Sequence, residues 1–379
     1  TPLVSGYSIQ YFAKFARQIC SSNFKSALCV DEFMGKNIFQ RKLFLIFNGG
    51  CMYYKILIIS ILLFVGCDTK KVAIGEANMI TIFCSEEDLV FVQPVFNEYF
   101  SKSLNLPQPE RLYELQWKDP IEFSSFNNRH NLVVASLKNP IDESGDLLYK
   151  KLFQNFSSDD SLIAIFDLYN KNQLLFGIFA MDVQQLQQQL DLNTEFIMDN
   201  LNKNQRKSVL YSAYDTGKNK ELSLKIQEWF GYDIFIQKDF KLIKENPQLP
   251  FLWIGRGYPY RWLTFHEIEL EDISSPDLTW NVIDALLEST LENIEVTKDF
   301  RSNELVTIDG RLLPILRGNY YHSESESGGP FFTILFHETD TRYLIVSGFV
   351  NYPGHPKISL IKQLEALILD GTFLERGDQ

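Results

Sequence analysis

Pro330-Phe-Phe-Thr-Ile-Leu-Phe-His-Glu338 and Arg342-Tyr-Leu-Ile-Val-Ser-Gly-Phe-Val-Asn351 are two apolar runs of strand length around a short polar break. They read as a hairpin. A helix follows, with Pro356 near its first turn, Leu360, Leu364 and Leu367 on one face, and Gly371 as a stop. The same order occurs upstream. Ser161–Tyr169 and Gln173–Ala180 form an apolar hairpin across Asn170-Lys171-Asn172. A glutamine-rich helix then starts near Asp182, with Val183, Leu186 and Leu190 at helical spacing. This recurrence predicts an α+β fold of two related units, each a mainly antiparallel sheet with helices packed on one face.

Other segments fit around that frame. Residues 79–84, 110–116, 131–137, 233–237, 251–256, 261–270, 305–309 and 314–322 read as strands, and 146–154 and 279–294 as helices. A further helix is placed from Pro94 to Ser103, because proline is tolerated in a first turn. The predicted organisation is a first unit over 78–205, a helical connection over 206–230 and a second unit over 231–379.

The C-terminal third holds a series of short motifs. They are Arg317-Gly318 with a following aromatic, Gly328-Gly329-Pro330-Phe331, Gly348-Phe349-Val350 with Tyr352-Pro353, and Leu364-Glu365-Ala366. Leu106-Pro107-Gln108-Pro109-Glu110, Asp167-Leu168-Tyr169 and Phe251-Leu252-Trp253 precede them. In this order they resemble an uncharacterised family of bacterial envelope lipoproteins, domain of unknown function 4837, over roughly Asn78 to Phe373. The resemblance implies a lipid-anchored envelope protein and brings no activity, cofactor or catalytic residue. Most of the motif residues, Arg317, Gly328, Gly329, Pro330, Gly348, Tyr352 and Pro353 among them, read as structural: Gly permits positive φ and Pro fixes corners. In the early loop, Leu89–Phe91 stands where the family pattern suggests Trp.

Residues 52–67 agree with that implication. Lys55 supplies a positive start, Ile56–Val65 an apolar stretch, and Gly66-Cys67 a small residue before a cysteine, as in a lipoprotein signal. Lipid on the Cys67 thiol anchors stably only because more than one acyl chain is buried. The apolar run is about half the roughly 20 residues of a membrane span; a transmembrane anchor, an unlipidated secretory signal and a core helix are the competing readings. A signal is read at the N-terminus, so residues 1–51 are expected to be absent from the cellular protein, with 52–66 cleaved and 67–77 left as a tether.

Charge excludes one class of partner. Residues 1–66 hold seven of the 36 Lys/Arg and two of the 48 Asp/Glu, leaving 29 basic against 46 acidic side chains from Cys67 onward. Nucleic acid, which needs clustered cations, is not expected. Nor is a polybasic hold on anionic lipid, so the membrane is engaged through Cys67 alone. With Cys67 lipidated, Cys84 has no second cysteine in the mature chain for a disulfide and reads as a small buried hydrophobe.

Enzyme signatures are sparse. The sequence has no G-x-S-x-G, complete phosphate loop or H-E-x-x-H. His130, His266, His322, His337 and His355 lack i+4 partners, Asp142–Asp146 lacks EF-hand spacing, and Glu267, Glu269 and Glu271 read as an exposed acidic stripe. No catalytic residue, metal or cofactor is assigned. The best binding surface is Arg256, Tyr258, Tyr260, Arg261 and Trp262, which bring stacking faces and forked donors to one strand connection. The expectation is a non-catalytic binding or accessory module facing the periplasm, with a protein or glycan partner. A hydrolase of envelope polymer or peptide, and a purely structural component, are the alternatives.

Overall fold

A computed structural model describes residues 70–104, 109–139, 143–155, 162–269, 276–308, 311–324, 327–338 and 341–373. Cys67, the signal stretch and everything before them lie outside the described residues, as do Leu106–Gln108 and Glu271.

The first sheet is built from β1 (Met79–Phe83), β2 (Glu114–Lys118), β3 (Asn131–Leu137), β4 (Leu162–Phe166) and β5 (Leu174–Ala180), in the order β2-β1-β3-β5-β4. Helix α1 (Glu86–Tyr99) follows β1, α2 (Glu143–Phe153) follows β3, and α3 (Val183–Asp215) follows β5. Strand β1 runs parallel to β2 and β3, and β3 parallel to β5; β4 and β5 alone form an antiparallel hairpin. The α+β class is the one observed, but this first sheet is largely parallel rather than mainly antiparallel. The reason is that α1 carries the chain back between β1 and β2, and residues 119–130 carry it back between β2 and β3, as parallel neighbours require, while β4 itself returns it before β5.

Both faces of that sheet are therefore covered, not one. Val92 and Phe96 of α1, with Leu186, Leu190 and Leu201 of α3, pack on Ile80, Ile82 and Val133. Phe153 of α2 packs on Phe83, Leu132, Val134 and Leu175 from the other side. Strand β3, buried along its whole length, is the centre. Helix α1 begins earlier than the Pro94 start read from sequence, because Ser85 accepts a hydrogen bond from the Asp88 amide and caps it.

The second sheet continues with β6 (Lys241–Asn246), β7 (Phe251–Arg256), β8 (Tyr260–Glu269), β9 (Ile294–Val296), β10 (Ser302–Ile308), β11 (Arg311–His322), β12 (Ser327–His337) and β13 (Arg342–Asn351). Its order is β9-β11-β12-β13-β8-β7-β6, with β10 also on β11, and every pairing is antiparallel. Helices α4 (Lys220–Phe230), α5 (Pro276–Thr290) and α6 (Ile358–Leu369) cover it. Ile226, Phe230, Ile361, Leu364 and Ile368 pack against Leu263, Phe265, Phe332 and Val346. Trp280, Ile283 and Leu287 of α5 pack on the opposite face, against Phe331, Ile345 and Phe349. Of residues 233–237, read as a strand, Asp233 pairs with Thr372 and Gln237 forms an isolated antiparallel bridge with Lys218.

Glycine decides how closely β11, β12 and β13 approach. A Cβ on Gly329 would fall on the Val350 carbonyl oxygen, and one on Gly328 on that of Tyr320. Helix α3 joins the two sheets. Its first half packs on the first sheet, while Leu210 and Ala213 near its end meet Ala366 and Leu367 of α6. Residue 205, where the sequence reading ends its first unit, lies inside this helix. Among the described residues no helix is long and apolar enough to cross a membrane.

Candidate functional site

A cleft of about 760 Å³ opens where α3, the start of α6 and the first sheet's lower edge meet. Gln205, Ser208 and Ser212 of α3 form one wall, and Arg261, Ser359, Lys362 and Gln363 another. Residues 75–78 and 109–114 close the sides.

Each wall is held by hydrogen bonds that span distant sequence. Glu110 Oε2 accepts from the backbone amides of Lys357 at 2.6 Å and Ile358 at 2.8 Å, so a carboxylate from the first half caps the N-terminus of α6. His130 Nδ1 lies 3.1 Å from the Asn172 carbonyl oxygen and 3.0 Å from Ser208 Oγ. Asn204 Nδ2 donates to Asn131 Oδ1 at 2.9 Å, tying α3 to β3. Burial lowers the His130 pKa, with Arg129 adding to the effect against the Asn172 hydrogen bond. The imidazole is thus kept neutral within a structural network.

The strand connection singled out by sequence divides into two faces. Arg256 and Arg261 are register partners across β7 and β8 and point to the face that carries α6. Tyr260 and Trp262 alternate to the other face. Arg256 bonds Gln237 at 3.3 Å and is ion-paired with Asp239. Arg261 is buried and donates from Nη1 to Gln363 Oε1. Its pKa is lowered to about 10 by burial, with Arg256 adding to the effect and Asp239 opposing it.

Tyr258 is 59% exposed at the turn and begins an aromatic path. Its ring lies 5.8 Å from Tyr260 and 5.3 Å from Tyr352, and Tyr352 stacks on His355 at 4.4 Å. Tyr260 in turn stacks on Trp262 at 6.3 Å. Tyr352 and His355 line the cleft, so the path runs from the exposed turn to the cleft wall.

The other motif residues lie elsewhere. Arg317 is buried under α6, with Nε 3.1 Å from Glu304 and Nη1 bonded to Glu365. Lys362 Nζ binds the second Glu365 oxygen at 2.9 Å. Burial favours the protonated Glu365, but Arg317 and Lys362 outweigh it and hold its pKa at about 2. Burial alone lowers the Arg317 pKa, and the Glu365 and Glu304 carboxylates raise it above its ordinary value. Cys84 is buried, among the apolar side chains between the first sheet and α1. Among the described residues no cluster of three or more His, Cys, Asp or Glu is arranged to hold a metal ion.

Sequence reasoning passed over several cleft residues. His130 was one of five isolated histidines, and Gln205, Ser208 and Gln363 carry no local motif. Glu110 did end one quoted motif. A proline-rich run of sequence ending on a carboxylate was the available signal for a helix cap.

Residues 218–369 match the family described as Domain of unknown function (DUF4837). The DUF4837 match takes in α4, the second sheet and α6, and with them Arg261, Arg317 and Glu365. The motifs at 106–110 and 167–169 lie upstream of it. No curated protein matches the chain. Two solved structures are LpqN of Mycobacterium tuberculosis, described as involved in cell envelope biogenesis, and a protein of Bacteroides thetaiotaomicron. The first is 13% identical, with a TM-score of 0.25, over 37% of this chain and 82% of the other. The second is 9% identical, with a TM-score of 0.20, over 39% and 46%. Likeness at that level carries no argument here.

Proposed function

We propose that the protein is a lipid-anchored component of a bacterial envelope that binds a ligand in the cleft between its two sheets, without transforming it. The envelope setting is supported by the signal-like stretch ending at Cys67 and by the DUF4837 resemblance. Lipid on Cys67 tethers an acidic body to the membrane, and the body faces the periplasm.

The observation that carries the binding role is how three of the cleft's titratable groups are committed. Glu110 caps α6, Lys362 is paired with Glu365, and His130 is held by Asn172 and Ser208. These groups shape the site, and its amides, hydroxyls and Arg261 are placed to meet a ligand. A general acid or base needs a group poised to exchange a proton at working pH, a different arrangement from this one. The aromatic path from Tyr258 to His355 supplies flat faces at the cleft wall, the kind of surface that anchors recognition.

Two experiments test this reading. In cells fed labelled palmitate, the protein should take up label and sediment with membranes, and Cys67→Ser should do neither. Unchanged fractionation of Cys67→Ser removes the anchor. Tyr258→Ala and Tyr352→Ala should each weaken binding to envelope glycan or peptide fragments, with Tm for the exposed Tyr258 shifted by less than about 2 °C. Release of a chemically altered fragment by the wild-type protein would instead favour the hydrolase.

A further inference from the structure

Arg261 is 5% exposed, sits on a central strand, and lines the cleft. Its Nε has no hydrogen-bond partner. Opposite it stands a second guanidinium, Arg256, and the one carboxylate acting on both, Asp239, is already ion-paired with Arg256. Among the described residues, two adjacent cations, Arg261 buried and Arg256 half-buried, therefore share one anion. Burying a charge without a full partner is unfavourable, so this arrangement works against the ligand-free fold. It suits a site whose counter-charge arrives with the ligand.

The rest of the lining narrows the ligand. Forked guanidinium donors match the two oxygens of a carboxylate. Glu76, Glu110 and Glu114 offset Arg111, Lys362 and Arg261 around the same cleft, so its lining holds no excess of positive charge for a multiply charged anion such as a phosphate ester. Gln205, Ser212, Ser359 and Gln363 offer amide and hydroxyl groups of both polarities, which suit the hydroxyls of a sugar ring. Tyr352 adds an aromatic face, negative at its centre, for the polarised C–H bonds of such a ring. An extended peptide would dock on a free sheet edge, whereas Arg261 lies on a strand paired along both sides.

We propose that the cleft binds a carboxylate-bearing saccharide, with the acid group on Arg261 and the hydroxyls on the glutamine and serine side chains around it. This rests on the binding role argued above and adds the class of ligand.

Calorimetric titration of the full-length protein in detergent tests it, with trigalacturonic acid, its methyl ester and a tripeptide bearing a free carboxylate as probes. The free acid should bind at least about tenfold more tightly than the ester, one lost charge-assisted contact. Arg261→Met should remove that difference and leave Tm unchanged or raised. Arg261→Lys, which keeps the charge but not the fork, should bind the acid about tenfold less tightly than wild type. Acid and ester binding alike overturns the inference while the cleft remains a binding site. Binding of the tripeptide in place of either saccharide overturns it in the same way. Failure of the wild type to bind any of the three overturns the inference, and Tyr352→Ala then tests the cleft reading against other envelope fragments.

Discussion

Arg317 and Arg261 lie on the same face of the same sheet, under the same helix, and are treated oppositely. Arg317 meets Glu304 and Glu365, and Glu365 is closed off by Lys362. Arg261 meets an uncharged amide, Gln363, and another arginine across the strand. Two residues along a helix are about 200° of rotation, so Glu365 and Gln363 leave α6 on opposite sides and face different strands. The first site completes its own charges and holds the helix down. The second is left incomplete and borders the cleft. Burial of an arginine by itself does not reveal a function; the distribution of its partners does.

That contrast can be broken most directly at Glu365. Glu365→Gln leaves Arg317 buried with its main partner gone and should lower unfolding free energy by about 3–5 kcal/mol, read from urea denaturation. A loss below about 1 kcal/mol would put the two arginines in one class. Acid should act on the same pair. The Glu365 pKa is depressed to about 2, so its contribution is complete above the unfolded carboxylate value and is lost as pH falls from about 4.5 towards 2. That contribution is on the order of 3 kcal/mol, and Glu365→Gln should flatten this limb of the stability curve.

His266 sharpens the comparison in a different window. Burial lowers its pKa to about 3, and Nε2 lies 3.0 Å from Thr290 Oγ1. A folded pKa below the unfolded 6.5 means stability is full above that pH and falls as pH drops from about 6.5 to 3. His266→Gln should reduce the slope there and spare the Glu365 limb. Next in size is Glu110→Gln, which weakens the α6 cap beside the cleft and should cost about 1 kcal/mol. The smallest effect is expected at Arg261→Met. Stability should stay within about 1 kcal/mol of wild type or rise, because a buried charge is replaced by an apolar chain of similar length.

Much of the second sheet was legible because its cues are local. Phe251–Arg256 and Arg342–Asn351 were read with their observed bounds, and the hairpin-then-helix order was found in both halves. Strand β6 was missed: Lys241–Asn246 is mostly polar and exposed at a sheet edge, so neither alternation nor an apolar run marks it. The direction of the first sheet was also hidden. An apolar strand reads the same whether its neighbour is parallel or antiparallel, and only the path of the connecting segments decides between them.

The candidate site was half visible. Tyr258-Pro259-Tyr260-Arg261-Trp262 stood out by composition, but the strand's alternation sends Arg261 to one face and Tyr260 and Trp262 to the other. No spacing rule could bring Gln205, His130 and Gln363 to the same cleft, since their neighbours in sequence serve unrelated elements.

By itself the sequence determined the class of fold, the acidity of the body, the signal-like stretch ending at Cys67 and the family motifs, all properties of composition and short-range periodicity. Tertiary structure alone decided which buried arginine is neutralised and which is left beside a cleft. That choice depends on α3 carrying one sheet against the helix of the other, bringing together groups more than 200 residues apart such as Glu110 and Ile358. Charge pairing is set by distance in space, and distance in space is fixed only when the core closes.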